Sequence, residues 1–421
     1  MDKRTFLKSS TLLGLGSLAS FSALSQVVKQ VAGHPPREVA KNEDFWETIR
    51  KAYQLKPGYI NLENGYYNVM PAEVMDRYYA HIREMNLEGA RYMRTRQDDD
   101  KRMVATRLAT LAGCGADELI ITRNTTESLD MIISGMNWKQ GDEAVMAEQD
   151  YGAMLDMFGQ VAKRYGVVNK TISLPIDPQN DQEIVDRYAA AITPKTKLLM
   201  ISHMVNITGQ ILPVRKICDM AHQKKVPVMV DGAHAFAHIK FKISDLNCDY
   251  YGSSLHKWLS APLGCGILYV NKQNIGKVWP LFADSTKKDT DILRLNHTGT
   301  HPVATTLAIM DAINFYTRLG AERKEERLRY LQNYWTSKVR HLPKVVMYTP
   351  SQTERACAIA NVGIKGMKPS DLADKLFNKY RIYTVAIDNA GVQGCRVTPN
   401  VFTTTADLDA LVTAITEISA A

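Results

Sequence analysis

Between residues 101 and 270 the chain alternates between two hydrophobic patterns. Apolar positions recurring every three or four residues over Lys101 to Ala112, Leu155 to Tyr165 and Arg215 to Lys224 predict amphipathic helices. Between them lie short β-rich runs: Leu119 to Thr122, Glu143 to Ala147, Lys197 to Ser202, Val226 to Val230, Tyr250 to Ser253 and Gly266 to Val270. This alternation predicts an α/β domain with a mostly parallel sheet, its faces covered by the helices. Ligands of such sheets sit at the carboxyl ends of the strands.

After residue 300 the pattern changes. A charged helical stretch, Ala321 to Leu342, is followed by strand, helix and strand patterns over Val345 to Tyr348, Asp371 to Tyr380 and Ile382 to Val385, which predict a smaller C-terminal α+β domain. The segment from about Ala40 to Tyr59 is expected to return to that domain. The expected organisation is an export signal over 1–25, an N-terminal arm over 26–59, a large domain over 60–300 and a small domain over 301–421.

The first residues read as an address. Lys3 and Arg4 precede a moderately apolar run from Thr11 to Leu24, broken by Gly14 and Gly16, and Ala23-Leu24-Ser25 offers small residues for cleavage near Ser25. The order Lys-Arg-Thr-Phe-Leu-Lys is similar to a twin-arginine signal with Lys3 in place of the first arginine. A periplasmic or otherwise exported protein is expected, with no membrane span after cleavage; the alternative is an uncleaved amphipathic anchor.

Composition narrows the function classes. With 421 residues, 45% hydrophobic and 23% charged, the chain has the balance of a globular protein rather than a disordered or fibrous one. The formal charge of +8 is spread along the chain, with no Lys/Arg run interleaved with aromatics, so nucleic acid is not an expected partner. Six scattered cysteines form no Cys-x-x-Cys pair, and no metal site is expected.

The most informative stretch is Gly252-Ser253-Ser254-Leu255-His256-Lys257-Trp258, a strand end leading into Ser260-Ala261-Pro262-Leu263-Gly264. A lysine in a partly enclosed pocket beside other cations loses its proton readily and can form a Schiff base, whereas a solvated loop lysine is the ordinary alternative. Asp231 closes the apolar run Val228-Met229-Val230 and suits the ring nitrogen of pyridoxal 5'-phosphate; it could equally cap a helix. Thr125 and Thr126 open a helix after a strand, where hydroxyls and backbone N–H groups hold phosphate or simply cap the helix, and Ser254 and His256 are further phosphate candidates. Tyr151, at another strand end, could stack on a ring or belong to the core.

In order, Asn-Thr-Thr-Glu-Ser, Gly-Asp-Glu, Asp-Gly-Ala-His, Ser-Leu-His-Lys and Arg-Val-Thr-Pro-Asn resemble the class V aminotransferase family of fold-type I pyridoxal-phosphate enzymes, over about Asn61 to Leu411. That family includes cysteine desulfurases, selenocysteine lyases and isopenicillin N epimerase-like proteins. The resemblance implies a large domain with a seven-stranded, mostly parallel sheet. It also implies cofactor attachment at Lys257, pairing of Asp231 with the pyridine nitrogen, His234 near the ring hydroxyl and Tyr151 stacked on the ring. Thr126, Ser254 and His256 would hold the phosphate, with His203 and Asn206 beside the cofactor. Arg396 would grip a substrate carboxylate, and Asn64 and the Arg91, Arg94, Arg96 cluster would shape the substrate pocket. The arginine cluster could equally be a solvated helix face, and Asn206 could equally serve a turn. The family further implies a homodimer with shared sites, in which Thr300 serves the partner's phosphate, and a small amino-acid-like substrate.

One such cofactor supports epimerisation, transamination, C–S cleavage or decarboxylation. A desulfurase needs a mobile acceptor thiol, yet Cys395 directly abuts Arg396. The expected function is therefore epimerase-like or aminotransferase-like chemistry at an α-carbon. The alternatives are a C–S lyase or desulfurase-like enzyme, and a non-catalytic periplasmic binding protein on a retired fold.

Overall fold

The computed structural model describes residues 24–420. The expected export signal therefore lies almost wholly outside the described residues. Leu24, beside the expected cleavage point, is buried, and residues 24–30 are helical.

A short strand β1 (Ile60–Asn61) precedes a central sheet of β2 (Leu119–Thr122), β3 (Glu143–Ala147), β4 (Val168–Ile172), β5 (Thr196–Ser202), β6 (Val228–Asp231), β7 (Tyr250–Ser254) and β8 (Gly266–Val270). Their spatial order is β2-β8-β7-β6-β5-β3-β4, and only β8 runs antiparallel to its neighbours. Every residue of β2, β3, β6, β7 and β8 is buried, as expected of strands covered by helices on both faces. The edge strand β4 is largely solvent-facing and carries Asn169, Lys170 and Thr171, which is why no apolar run announces it.

The second sheet holds β9 (Val345–Met347), β10 (Ala360–Ile364), β12 (Val385–Asn389) and β13 (Val392–Val397), antiparallel in the order β12-β13-β10-β9. The expected strand over Ile382 to Val385 divides: β11 (Ile382–Tyr383) leaves this sheet and pairs in parallel with β1. The pairing ties the start of the large domain to the small one, and Leu62 is buried in the small-domain core.

Two segments cross the expected division. The helix Val303–Leu319 packs on the helices Ala72–Glu88 and Gln97–Ala112, with Tyr78 Oη 3.1 Å from Thr305 Oγ1 and His81 Nε2 2.9 Å from Asp311 Oδ2. Its buried Ile309, Ala312 and Ile313 belong to the large core although they follow residue 300. The arm meets both bodies: Tyr53 stacks near Phe315 and Phe402, while Arg327, fully buried, donates to Ala40 O at 2.9 Å and Thr403 O at 3.1 Å and pairs with Glu43. This places Arg327 as the hub joining arm, long helix and C-terminal segment.

Candidate active site

The carboxyl ends of β5, β6 and β7 converge with the start of the helix Thr125–Gly135, and between them lies a cavity of about 290 Å³. The chain leaves β6 through Gly232, close against the ring of Tyr251. A Cβ on Gly232 would lie 2.0 Å from Cζ of buried Tyr251, so no side chain fits there. Asp231 thereby reaches the cavity, its Oδ1 accepting the Ala233 N–H at 2.9 Å. Asp231 is buried, and burial pushes its carboxyl above the usual range, opposed by the Ala233 N–H and the Lys257 charge.

Lys257 lies across from Asp231. Its Nζ is 3.2 Å from His234 Nε2, and burial, aided by Arg396, brings its pKa down to about 8, against the pull of Asp231 and Glu63. His234 is held well below its ordinary value by burial first, then by Lys257 and Arg396, so its ring is neutral. Trp258 donates its indole N–H to His234 Nδ1 at 3.4 Å and stacks on His238, ring centroids 3.6 Å apart.

A second cluster suits a phosphate. Thr125 donates its N–H to Ser254 Oγ at 2.9 Å, and the two hydroxyls lie 2.7 Å apart. Thr126 and His256 also face this end of the cavity. His256 Nδ1 is buried with no partner among the described residues, and burial and Lys257 bring its pKa down to about 4. A polar nitrogen left open beside hydroxyls at a helix N-terminus suits an anion. Tyr151 and Asn206 complete the wall, Tyr151 remaining 43% exposed. A flat ring bearing a phosphate fits these donors, with Asp231 for its nitrogen, Lys257 for its carbonyl carbon and the Thr125, Thr126, Ser254 and His256 group for its phosphate.

Three expectations place differently. Asn64 is fully buried and spent on structure: its N–H and Nδ2 hold Thr398, at 2.6 and 2.8 Å, and its Oδ1 accepts from Asn61. It anchors the chain entering the site and does not line the cavity. Arg94 is exposed on the short helix Ala90–Thr95; Arg91 and Arg96 pair with Glu88 and Glu84, and only Tyr92 turns inward. Thr300, expected to serve the partner's phosphate, is exposed on a loop outside this chain's own cavity, which agrees with that expectation without testing it. His203, one residue past the end of β5, turns away to Tyr251 and Phe241, and Ser202, the last residue of β5, takes the cavity side.

The sequence reading missed Glu63, which pairs with Arg396, and the buried Asp150, which accepts from Ser202 Oγ at 2.7 Å and is pushed up to about 7 by burial. A carboxylate one residue before Asn64, and one before Tyr151, were the only signals. All six cysteines are described and none lines the cavity. Cys395 is buried, donates to Pro369 O at 3.5 Å and is pushed up to about 12 by burial.

Comparison with known proteins agrees with this geometry. The family model for aminotransferase class V matches residues 69–401. The chain is 29% identical over 394 residues to isopenicillin N epimerase of Amycolatopsis lactamdurans, covering 89% of this chain and 98% of that protein. It is 28% identical to a probable cysteine desulfurase of Halalkalibacterium halodurans, covering 62% of this chain and 65% of that protein. Among solved structures, an apo cysteine desulfurase of Thermococcus onnurineus superposes with a TM-score of 0.78 at 19% identity, over 89% of this chain and 98% of that one. The cystine C–S lyase C-DES gives 0.77 at 20% identity, over 85% and 97%. Both share the fold-type I architecture. The chain belongs to the class V aminotransferase family and is an enzyme that uses pyridoxal 5'-phosphate.

Proposed function

We propose that this enzyme acts at the α-carbon of an amino acid or amino-acid-like substrate, by epimerase-like or aminotransferase-like chemistry. The observation that carries this reading is that Lys257 and Arg396 line one cavity while every cysteine lies outside it. Pyridoxal phosphate, when bound, supplies an electron sink for the pair left behind when a bond at Cα breaks.

The chain's own residues do the rest. Arg396 presents its planar donors to the substrate carboxylate and so fixes which Cα bond faces Lys257. Lys257 Nζ, whose pKa burial brings down to about 8, is the base for the α-proton. Asp231 keeps the proton on the ring nitrogen, and neutral His234 offers its Nε2–H beside Lys257. A desulfurase-like outcome is disfavoured because Cys395 is buried and points its thiol at Pro369 O. The likeness to isopenicillin N epimerase over nearly that protein's full length supports the epimerase side.

Incubating the loaded protein with a panel of L-amino acids in deuterated buffer tests the reading. α-Deuteration with D-isomer or keto acid is the expected result. Sulfide release with neither D-isomer nor transamination product would replace it with C–S cleavage.

We further propose a homodimer and export. Tyr79, Ile82, Leu87 and Met103 are exposed large apolar residues on the neighbouring helices Ala72–Glu88 and Gln97–Ala112, as a subunit contact requires. Light scattering on the purified protein and fractionation of cells test these two points.

A further inference from the structure

Arg396 does not meet the cavity alone. Glu63 occupies one edge of its guanidinium in a two-point ion pair, Nε to Oε2 at 3.1 Å and Nη2 to Oε1 at 2.7 Å. Nη1 donates to Asn206 O at 3.2 Å. Glu63 Oε1 also accepts the backbone N–H groups of Gly65 at 3.1 Å and Tyr66 at 2.9 Å. Both side chains of the pair are almost closed to solvent, 8% exposed for Arg396 and 6% for Glu63. Arg396 lines the cavity, whereas Glu63 does not. Gly65 packs over them so tightly that a Cβ there would lie 3.3 Å from Arg396 Cζ.

A free guanidinium offers a carboxylate two double-pronged edges. Here Glu63 has taken one, and its negative charge stands directly behind the donors that remain. An incoming carboxylate is drawn by Arg396 and repelled by Glu63 from another edge of the same guanidinium, so the repulsion offsets part of the attraction. What survives in full is direction: the remaining donors still fix the orientation of a carboxylate, with a weakened charge attraction.

We propose that Glu63 is a specificity-determining residue, a resident carboxylate on Arg396 that weakens the hold on simple monocarboxylates. The cavity then retains only substrates whose α-carboxylate arrives with other recognised groups. This rests on the reading of Arg396 as the carboxylate-binding residue.

The test titrates cofactor-loaded wild-type, Glu63→Gln, Glu63→Asp and Arg396→Gln proteins with acetate and isovalerate, followed by the cofactor's visible absorbance and by melting temperature. Gln keeps an oxygen for the Gly65 and Tyr66 N–H groups but removes the charge, and Asp keeps the charge. Glu63→Gln is expected to bind both acids about tenfold more tightly than wild type, with Glu63→Asp close to wild type. If Arg396→Gln abolishes binding but Glu63→Gln binds no more tightly than wild type, Glu63 only orients Arg396 and the proposal is overturned, while the reading of Arg396 stands. If Arg396→Gln binds the acids as well as wild type, that reading falls and the proposal with it.

Discussion

Trp258 fixes the tautomer of His234. An indole N–H can only donate, so the 3.4 Å contact makes His234 Nδ1 an acceptor and leaves the ring proton on Nε2. Nε2 lies 3.2 Å from Lys257 Nζ. Two donors cannot share that contact, so the arrangement favours Lys257 as a neutral amine that accepts from His234. The geometry and the burial of Lys257 act in the same direction.

The pH dependence of cofactor uptake follows. The neutral amine is the reactive form, and a pKa brought down from 10.5 to about 8 populates it at lower pH. The rate at which the cofactor-free protein takes up pyridoxal phosphate, followed by stopped-flow absorbance, should rise with pH and level off above about pH 8. In Trp258→Phe, His234 is free to accept from the Lys257 ammonium, so the midpoint should move to higher pH. An unmoved midpoint would remove Trp258 from this role.

Lys257→Ala should abolish α-proton exchange and leave the cofactor without covalent attachment. After borohydride treatment, intact-mass measurement should find the cofactor's mass on the wild type and not on the variant. Retained exchange in the variant would show that another group moves the proton.

Gly232→Ala should be costly although it adds one methyl group. The added Cβ would meet the Tyr251 ring at 2.0 Å, and Tyr251 lies in a fully buried strand. Overpacking of this kind costs about 1 to 3 kcal/mol. A lower melting temperature with faster cofactor loss is expected, because Asp231 and His234 flank the displaced backbone.

Arg327→Ala tests the hub beneath the arm. It strips Ala40 O, Thr403 O and Glu43 of their donor in a fully buried position. Glu43 can still reach water, which tempers the loss to about 3 kcal/mol. Urea unfolding of the variant should show the drop, with the visible spectrum of bound cofactor unchanged under native conditions.

The sequence by itself determined the central sheet and the chemistry facing it. The runs ending in Asp231 and Ser254, the helix start at Thr125 and the Ser-Leu-His-Lys segment are local patterns, and each side chain's direction follows from its place at a strand end. The same locality explains the misreadings. His203 and Ser202 are neighbours at the end of β5 that differ in which side they face, and Asn64 and Glu63 only in which partner each meets. Strand β4 stayed hidden because it lies at the sheet edge and needs few apolar residues.

Tertiary structure decided what depends on distant pairs. Glu63 meets Arg396 from 333 residues away, Arg327 gathers the arm and the C-terminal segment, and Ile60–Asn61 finds its strand partner at Ile382–Tyr383. No periodicity or motif encodes such pairings. They arise when packing brings two surfaces together and each buried charge or backbone donor must find a partner there.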